Sequence, residues 1–399
     1  MRLSIFFIIV ILIVGLNAQF PSTDFEIVES IPVETTLGNK ELRNTPEVWL
    51  EMISRAQESI DIEQFYISNQ AGEPLEHILQ AIEAKATDGV SVRIIAESNM
   101  AKTYPKSLER LDSQKNIEVR ILSAFQEING INHSKYFIVD NESVFIGSQN
   151  FDWRALKHIH EIGLKIKNKA FAATITEIFN LDWQQAKTGD LIKTVEYGKK
   201  TSYKMKIADE TVTFFPTASP YYNMPENFYS DELAIIEAIN SAKNSIRIQL
   251  LSYSPAAYGE YYGKLDNALR DAALRGVNVH LLLADWSRGS SSMPYLKSLQ
   301  VLPNIDVKLS TIPEYSGGYI SFARVEHCKM MTIDDEITWI GTSNWRKNYF
   351  YSSRNLGIII NSNIINQKIT KIFDKSWQSD YTSLVDISKQ YQPKKYGEQ

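Results

Sequence analysis

Short apolar runs alternate with helical stripes along the chain. VSVRIIA (90–96), IEVRIL (117–122) and KYFIVD (135–140) are rich in branched residues and almost continuously apolar, the pattern of strands covered on both faces. Between such runs the period changes. Trp49, Met52, Ile53 and Ala56 recur at helical spacing, behind Thr45 as a cap and Pro46 at the first helical position. Leu75, Ile78, Leu79 and Ile82 predict a second helix, ended by Gly89. Leu265, Ala268, Leu269 and Ala272 repeat that stripe before Gly276. These stripes read as core packing, and the alternation predicts an α/β protein.

The blocks are written twice. ESIDIEQFYIS (58–68) matches NSIRIQLLSYS (244–254), and GVSVRII (89–95) matches GVNVHLL (276–282). NIEVRIL (116–122) matches NIDVKLS (304–310), and IFNLDW (178–183) matches IFDKSW (372–377). The longest pair is HSKYFIVDNESVFIGSQN (133–150) with HCKMMTIDDEITWIGTSN (327–344). Order is kept while the offset drifts only from 186 to 194, as loop insertions produce. The expectation is two tandem lobes, 19–185 and 231–388. They are joined by a connection at 186–230 that holds Pro216, Pro220, Pro225 and one strand at TVTFF. Residues 389–399 are a polar tail, expected to fray.

Across 399 residues, 42 Lys plus Arg face 47 Asp plus Glu, a net charge of −5, with 44% hydrophobic and 22% charged residues. That balance excludes a disordered, collagen-like or disulfide-scaffold protein. Nor does an acidic chain wrap duplex DNA by bulk positive charge. Cys328 is the single cysteine, so neither an intramolecular disulfide nor a cysteine-based zinc site is available. Met1-Arg2, the apolar run Leu3–Leu16 and a small-residue cleavage point after Ala18 read as a secretory signal peptide, 1–18, with an uncleaved signal anchor as the alternative. The implied destination is the secretory pathway. Sequons begin at Asn132 and Asn141, and Asn141, in a turn, is the glycosylation candidate.

Each lobe carries one chemical pattern at equivalent positions: His133-x-Lys135-x4-Asp140 and His327-x-Lys329-x4-Asp334. Composition alone gives about 0.07 such matches per chain, so the pair is no accident. Strand alternation puts each His and its Lys on one face. Each Asp falls on the other face, where it is a structural or turn-forming residue more than a proton carrier. Gly147 and Asn150, like Gly341 and Asn344, follow 14 and 17 residues after the His, on a strand that returns beside it. Two such units about a pseudo-twofold axis surround one cleft with two His, two Lys and two Asn. This is a phosphate site that needs no metal or other cofactor. Lysines supply charge and asparagines supply donors. One imidazole can attack phosphorus while the other protonates the leaving oxygen, which gives a phosphohistidine for water to hydrolyse. Ser148 and Ser343 flank the asparagines and are candidate phosphate contacts. His158 and His160, just before Glu161, are candidates to line the cleft, and Cys328 points away from it by alternation.

The paired motifs resemble the HxKxxxxD signatures of the phospholipase D superfamily, and the likeness spans nearly the whole chain beyond residue 18. VESIP (28–32), FDWR (151–154), ARVEHCKMM (323–331) and WIGTSNWRKNYF (339–350) look most similar to its animal endolysosomal branch. The resemblance implies two α/β/α sandwich lobes with mixed, mostly parallel sheets around one shared active site. It makes His133, Lys135, Asp140, His327, Lys329 and Asp334 the catalytic motif residues. The implied activity is phosphodiester hydrolysis. One form releases phospholipid headgroups, for example from phosphatidylcholine to give phosphatidic acid, with contact to a membrane surface. The alternative is a 5′ exonuclease on single-stranded DNA or RNA in an acidic compartment. The superfamily commonly places a carboxylate 28 residues after the motif His, here Glu161, whereas the second-lobe equivalent is Asn355. A carboxylate favours a charged imidazole more than an amide does. The expectation is therefore His133 as nucleophile, oriented by Glu161, and His327 as general acid. Tyr221, Tyr222, Phe228, Tyr229, Tyr258, Tyr261 and Tyr262 gather in irregular segments as a candidate rim for bases or lipid.

Overall fold

The computed structural model describes residues 24–257, 260–289 and 291–397. The expected signal segment and Tyr258 lie outside them. In the first lobe an eight-stranded sheet runs in the spatial order Arg43–Asn44, Phe25–Ser30, Glu161–Lys167, Ser143–Gly147, Lys135–Val139, Ser59–Gln64, Ser91–Glu97, Ile117–Leu122. The second lobe repeats this as Glu210–Ser219, Asn355–Asn361, Ile337–Gly341, Met330–Ile333, Ser245–Leu250, Asn278–Ala284, Ile305–Ser310, with Tyr203–Ile207 and Thr382–Leu384 at its edges.

Helices cover both faces of each sheet. Lys169–Thr188 and Asn363–Trp377 lie between the sheets, where Phe171, Ile175, Ile369 and Phe373 share one core with Ile146 and Leu164 of one sheet and Met330 and Ile358 of the other. On the outer faces, Trp49 and Leu79 pack on Ile60 and Val92 in the first lobe, and Ile235 and Leu269 pack on Ile246 and Leu281 in the second. The predicted stripes are therefore core, and two duplicated α/β lobes are present. Gly89 and Gly276 end their helices at φ of +99° and +89°, where a side chain is strained. In the helix Thr45–Ser54 the cap position belongs to Asn44. Thr45 sits one residue inside, its hydroxyl accepting from Ser30 Oγ at 2.8 Å.

Three expectations are corrected. The sheets are mixed but not mostly parallel. Ser59–Gln64, Ser91–Glu97 and Ile117–Leu122, and their counterparts, form a parallel run, with a short parallel pair at Phe25–Ser30 and Arg43–Asn44. The motif strands are antiparallel because a tight turn at Asp140–Asn141 folds Lys135–Val139 back on Ser143–Gly147. The stretch 186–230 is more than a connection. Its strand Glu210–Ser219 pairs with Asn355–Asn361 as Phe25–Ser30 pairs with Glu161–Lys167, so it opens the second lobe. The strand expected at TVTFF is present, and it runs on through Pro216, uncommon inside a paired strand, to Ser219. Finally, the described part of the tail is docked on the second lobe, with the Tyr396 ring stacked 4.1 Å from Trp286.

Candidate active site

A cavity of about 430 Å³ opens between the lobes, and both His133 and His327 line it. Several of its other walls come after parallel strands. Phe65 and Tyr66 come after Ser59–Gln64, Tyr104 after Ser91–Glu97, Leu251 after Ser245–Leu250 and Trp286 after Asn278–Ala284. This is the end of an α/β sheet where ligands are usually received.

Each imidazole is held by the opposite lobe. His327 Nδ1 lies 2.7 Å from Glu161 Oε2, and His133 Nδ1 lies 3.1 Å from Asn355 Oδ1. The expected pairing of Glu161 with His133 is thus corrected: the carboxylate sits on His327. The main chain explains the crossing. His327 N–H donates to the His160 carbonyl and His160 N–H to the Val325 carbonyl. In the same way His133 N–H donates to the Arg354 carbonyl and Arg354 N–H to the Ile131 carbonyl. These two bridges bring Glu161 and Asn355 across the lobe boundary. The hydroxyls behind them are also equivalent. Ser148 Oγ accepts from the Ile162 N–H beside Glu161 as Thr342 Oγ1 accepts from the Leu356 N–H beside Asn355, and Thr342 Oγ1 also donates to Asn355 Oδ1 at 3.0 Å. Glycines open the space beneath: a Cβ on Gly147 would lie 2.6 Å from Gly163 Cα.

Burial lowers the pKa of both imidazoles well below the ordinary histidine value, and the nearby Lys135 and Lys329 lower it further. Burial likewise lowers both lysines, Lys329 to about 8. Glu161 moves up through burial, against the pull of Lys329 and Lys135. The lysines lie behind the imidazoles: Lys135 Nζ donates to the His133 carbonyl at 2.9 Å and Lys329 Nζ to that of His327 at 2.7 Å.

Asn150 and Asn344 both line the cavity, and the side-chain oxygen of each is buried without a hydrogen-bond partner. The aspartates are elsewhere. Asp140 accepts from the N–H groups of Gln57, Glu58 and Ser59, and Asp334 from those of Lys243, Asn244 and Ser245. Both have positive φ, 53° and 49°, so each closes the motif turn and pins it to the start of the neighbouring strand. Their expected place among the catalytic groups is corrected, in line with the strand alternation. Ser343 is also misplaced, its hydroxyl donating to Asp231 at 2.7 Å, away from the cavity. Its repeat partner is Gln149, and Thr342 is the true counterpart of Ser148. Of the sequons, Asn132 is buried and Asn141 is exposed.

His158 and His160 do not line the cavity. His160 is fully buried between two carboxylates, Glu29 at Nε2 (2.8 Å) and Glu326 at Nδ1 (2.5 Å). Its repeat counterpart is Arg354, also buried, whose guanidinium makes a two-pronged ion pair with Asp182. Donor atoms of His160, Glu326 and Cys328 do fall within 4.8 Å of one another. Both ring nitrogens are engaged by carboxylates, however, and burial pushes the Cys328 thiol up to about 11. Such a set fits a buried imidazolium better than a metal ligand cluster. The aromatic walls Phe65, Tyr66, Tyr104, Trp286 and Tyr349 escaped the sequence reading, which pointed to Tyr221, Tyr222, Phe228, Tyr229, Tyr261 and Tyr262. None of those lines this cavity. The ends of the parallel strands were the available signal.

A family model described as cardiolipin synthase, PLD-like domain, matches residues 49–183 and again 235–377. Phospholipase D Z of Dictyostelium discoideum is 30% identical over 385 residues, 90% of this chain and 90% of that protein. The 5'-3' exonuclease PLD3 of Xenopus laevis is 30% identical over 398 residues, 90% of this chain and 80% of that protein. Equal likeness to both kinds means that the narrower endolysosomal branch is not singled out. Phosphatidylserine synthase of Haemophilus influenzae Rd KW20 shares the fold at a TM-score of 0.62, with 15% identity over 85% of each chain. Two copies of one family match, two sheets of one strand order and two motif histidines on one cavity converge: the chain belongs to the phospholipase D superfamily and is a hydrolase of the phosphodiesterase type.

Proposed function

We propose that the enzyme cleaves phosphodiesters through a phosphohistidine without a metal, and that its substrate is the end of a single nucleic-acid strand. The carboxylate on His327 carries the assignment of roles. His327 Nε2 attacks phosphorus, a P–N bond forms, and Glu161 balances the charge that grows on the ring. His133 gives its Nε2 proton to the leaving oxygen as the P–O bond breaks. Neutral His133 then takes a proton from water, which attacks phosphorus and releases His327. This reverses the roles expected from sequence, by the same rule applied to the observed pairing. Lys135 and Lys329 supply the positive field, and Asn150 and Asn344 offer amide donors to the non-bridging oxygens. Because His133 starts protonated and its pKa is lowered, the reaction suits an acidic compartment, consistent with the secretory routing read from residues 1–18.

The aromatic lining supports the nucleic-acid reading. Phe65, Tyr66, Tyr104, Trp286 and Tyr349 offer ring faces in a space sized for about one nucleotide. One observation favours a phospholipid instead: Tyr319 and Phe322 are exposed together at the cavity, a rim that suits a bilayer surface. Among the described residues no helix is long and apolar enough to cross a membrane. The test gives purified protein single-stranded DNA with free or phosphorylated 5′ ends, or phosphatidylcholine vesicles, from pH 5 to 8 with chelator present. Nucleotide release that survives the chelator and favours acid supports the reading. Choline release alone replaces the substrate, and loss of all activity in chelator overturns the mechanism.

A further inference from the structure

The cavity has unlike walls. On the first-lobe side Phe65 and Tyr66 directly follow their strand, and Tyr104 ends the short helix Ser98–Thr103. On the second-lobe side Trp286 stands in the short turn Asp285–Arg288, and Phe322 in the loop between Ile305–Ser310 and Met330–Ile333. That loop is six residues longer than its first-lobe counterpart, as the offset changes from 188 to 194 across it. A longer loop needs more contacts to hold one shape.

Those contacts come from the other end of the domain. Tyr396 stacks on Trp286 with ring centres 4.1 Å apart and planes 14° apart, and its ring meets that of Phe322 at 6.1 Å. The Phe322 N–H donates to the Tyr396 carbonyl at 2.7 Å, and the Tyr319 hydroxyl donates to the Gly397 carbonyl at 2.7 Å. Lys394 Nζ donates to the buried Asp285 carboxylate at 2.7 Å, one residue from Trp286. Phe322 has a φ of +59°, a conformation that a bulky residue keeps only when its surroundings impose it. The bond from the Tyr396 carbonyl to this same residue is such an imposition.

We propose that residues 394–397 are a strap that fixes the second-lobe wall, and that Tyr396, acting through Trp286 and Phe322, determines which substrate groups fit there. The proposal rests on the phosphodiesterase reading of the cavity, but not on the choice between nucleic acid and lipid. Tyr396 is a positioning residue and has no part in bond making. Without its ring Trp286 loses a stacked face, and without Lys394 the turn at Asp285 loses its buried partner. The wall then opens while His133, His327 and their supports stay in place. A substrate too small to reach the wall does not sense the change.

The experiment compares the full chain with Y396A, Y396F and K394A on bis(p-nitrophenyl) phosphate and on a short single-stranded oligothymidylate. Loss of one stacked aromatic contact should raise KM for the oligonucleotide about 5-fold in Y396A, with kcat within about twofold. Turnover of the small diester should be unchanged, Y396F should match the parent, and K394A should fall between. If the parent cleaves only phosphatidylcholine vesicles, the same comparison is made on them. Hydrogen exchange supplies an arm independent of activity: the Phe322 amide should exchange faster in Y396A and K394A but not in Y396F. Equal loss of kcat on large and small substrates, or unchanged exchange at Phe322, overturns the strap. If the parent hydrolyses no phosphodiester, the phosphodiesterase reading fails by itself, and exchange at Phe322 still decides whether the strap holds the wall.

Discussion

Glu161→Gln isolates the crossed support. The carboxylate is fully buried, touches His327 Nδ1 at 2.7 Å and does not line the cavity, so the change leaves the substrate's own contacts intact. An amide oxygen can still accept the ring proton but cannot balance a full positive charge. A hydrogen bond to a charged group contributes about 1.5–3 kcal/mol, against roughly 1 kcal/mol for a neutral pair. The difference, about 0.5–2 kcal/mol, applies as the phosphoimidazolium forms, and at 1.36 kcal/mol per tenfold it corresponds to roughly a 2- to 30-fold loss. Low effective dielectric at this buried position pushes the outcome toward the upper end. The loss should appear in kcat with KM nearly unchanged, because an interaction made mainly in the transition state is removed. The assay is steady-state kinetics on a soluble phosphodiester, joined to rapid acid quench and mapping of the phosphorylated histidine. Phosphate is expected on His327 and should build up more slowly in E161Q. Phosphate on His133, or an E161Q enzyme indistinguishable from the parent, refutes the reasoning.

Stability should depend on pH through His160. Burial works against its charge, but Cys328, Glu326 and Glu29 around it outweigh burial and raise its pKa well above 6.5. A raised folded pKa gives stability that is complete below the unfolded value of about 6.5 and is lost as pH climbs through the folded one. The melting temperature of the parent should therefore fall on the alkaline side, with the fall absent in H160Q, which starts lower; a parent whose melting temperature is flat with pH contradicts this. Asp140→Ala should lower stability by about 2–3 kcal/mol in urea titration, since three N–H groups lose a charged acceptor. It should leave kcat of the folded enzyme within about threefold, and a collapse of kcat at full stability would return Asp140 to the chemistry.

How far the sequence could be read differs from residue to residue. Motif positions, helix stops at Gly89 and Gly276, and the asparagines beside the cleft were legible because local spacing fixes them. The crossing of Glu161 to His327 was not. A repeat shows which positions are equivalent, and not which lobe's copy a side chain will touch. That depends on the bridges at His160 and Arg354, which join residues more than 160 positions apart. The parallel share of the sheets was overread because buried antiparallel strands, covered by helices on both faces, carry the same continuous apolar pattern as parallel ones. Aromatic walls were missed for a related reason. Phe65 and Trp286 differ from core aromatics only in standing just past a strand end, and Tyr396 sits in a polar tail whose docking no local pattern announces.

The crossed bonds also give the duplication a physical reason to stay fused. Neither lobe owns a complete half-site: His327 depends on Glu161 and the His160 carbonyl, and His133 on Asn355 and the Arg354 carbonyl. At each bridge the sequence places a buried cation against carboxylate, His160 with Glu29 and Glu326 in one, Arg354 with Asp182 alone in the other. Buried ion pairs are poor sources of net stability, because desolvation consumes most of what attraction returns. They are strict about partners, however, since a slipped register leaves an unpaired charge in the core at a cost of several kcal/mol, on the order of 3–5. A shift of one residue between the lobes would separate His160 from Glu326 and Arg354 from Asp182, and move both imidazoles off their supports together. The same two bridges therefore hold the lobes in a single register and set the separation of the histidines on which any in-line displacement at one phosphorus depends.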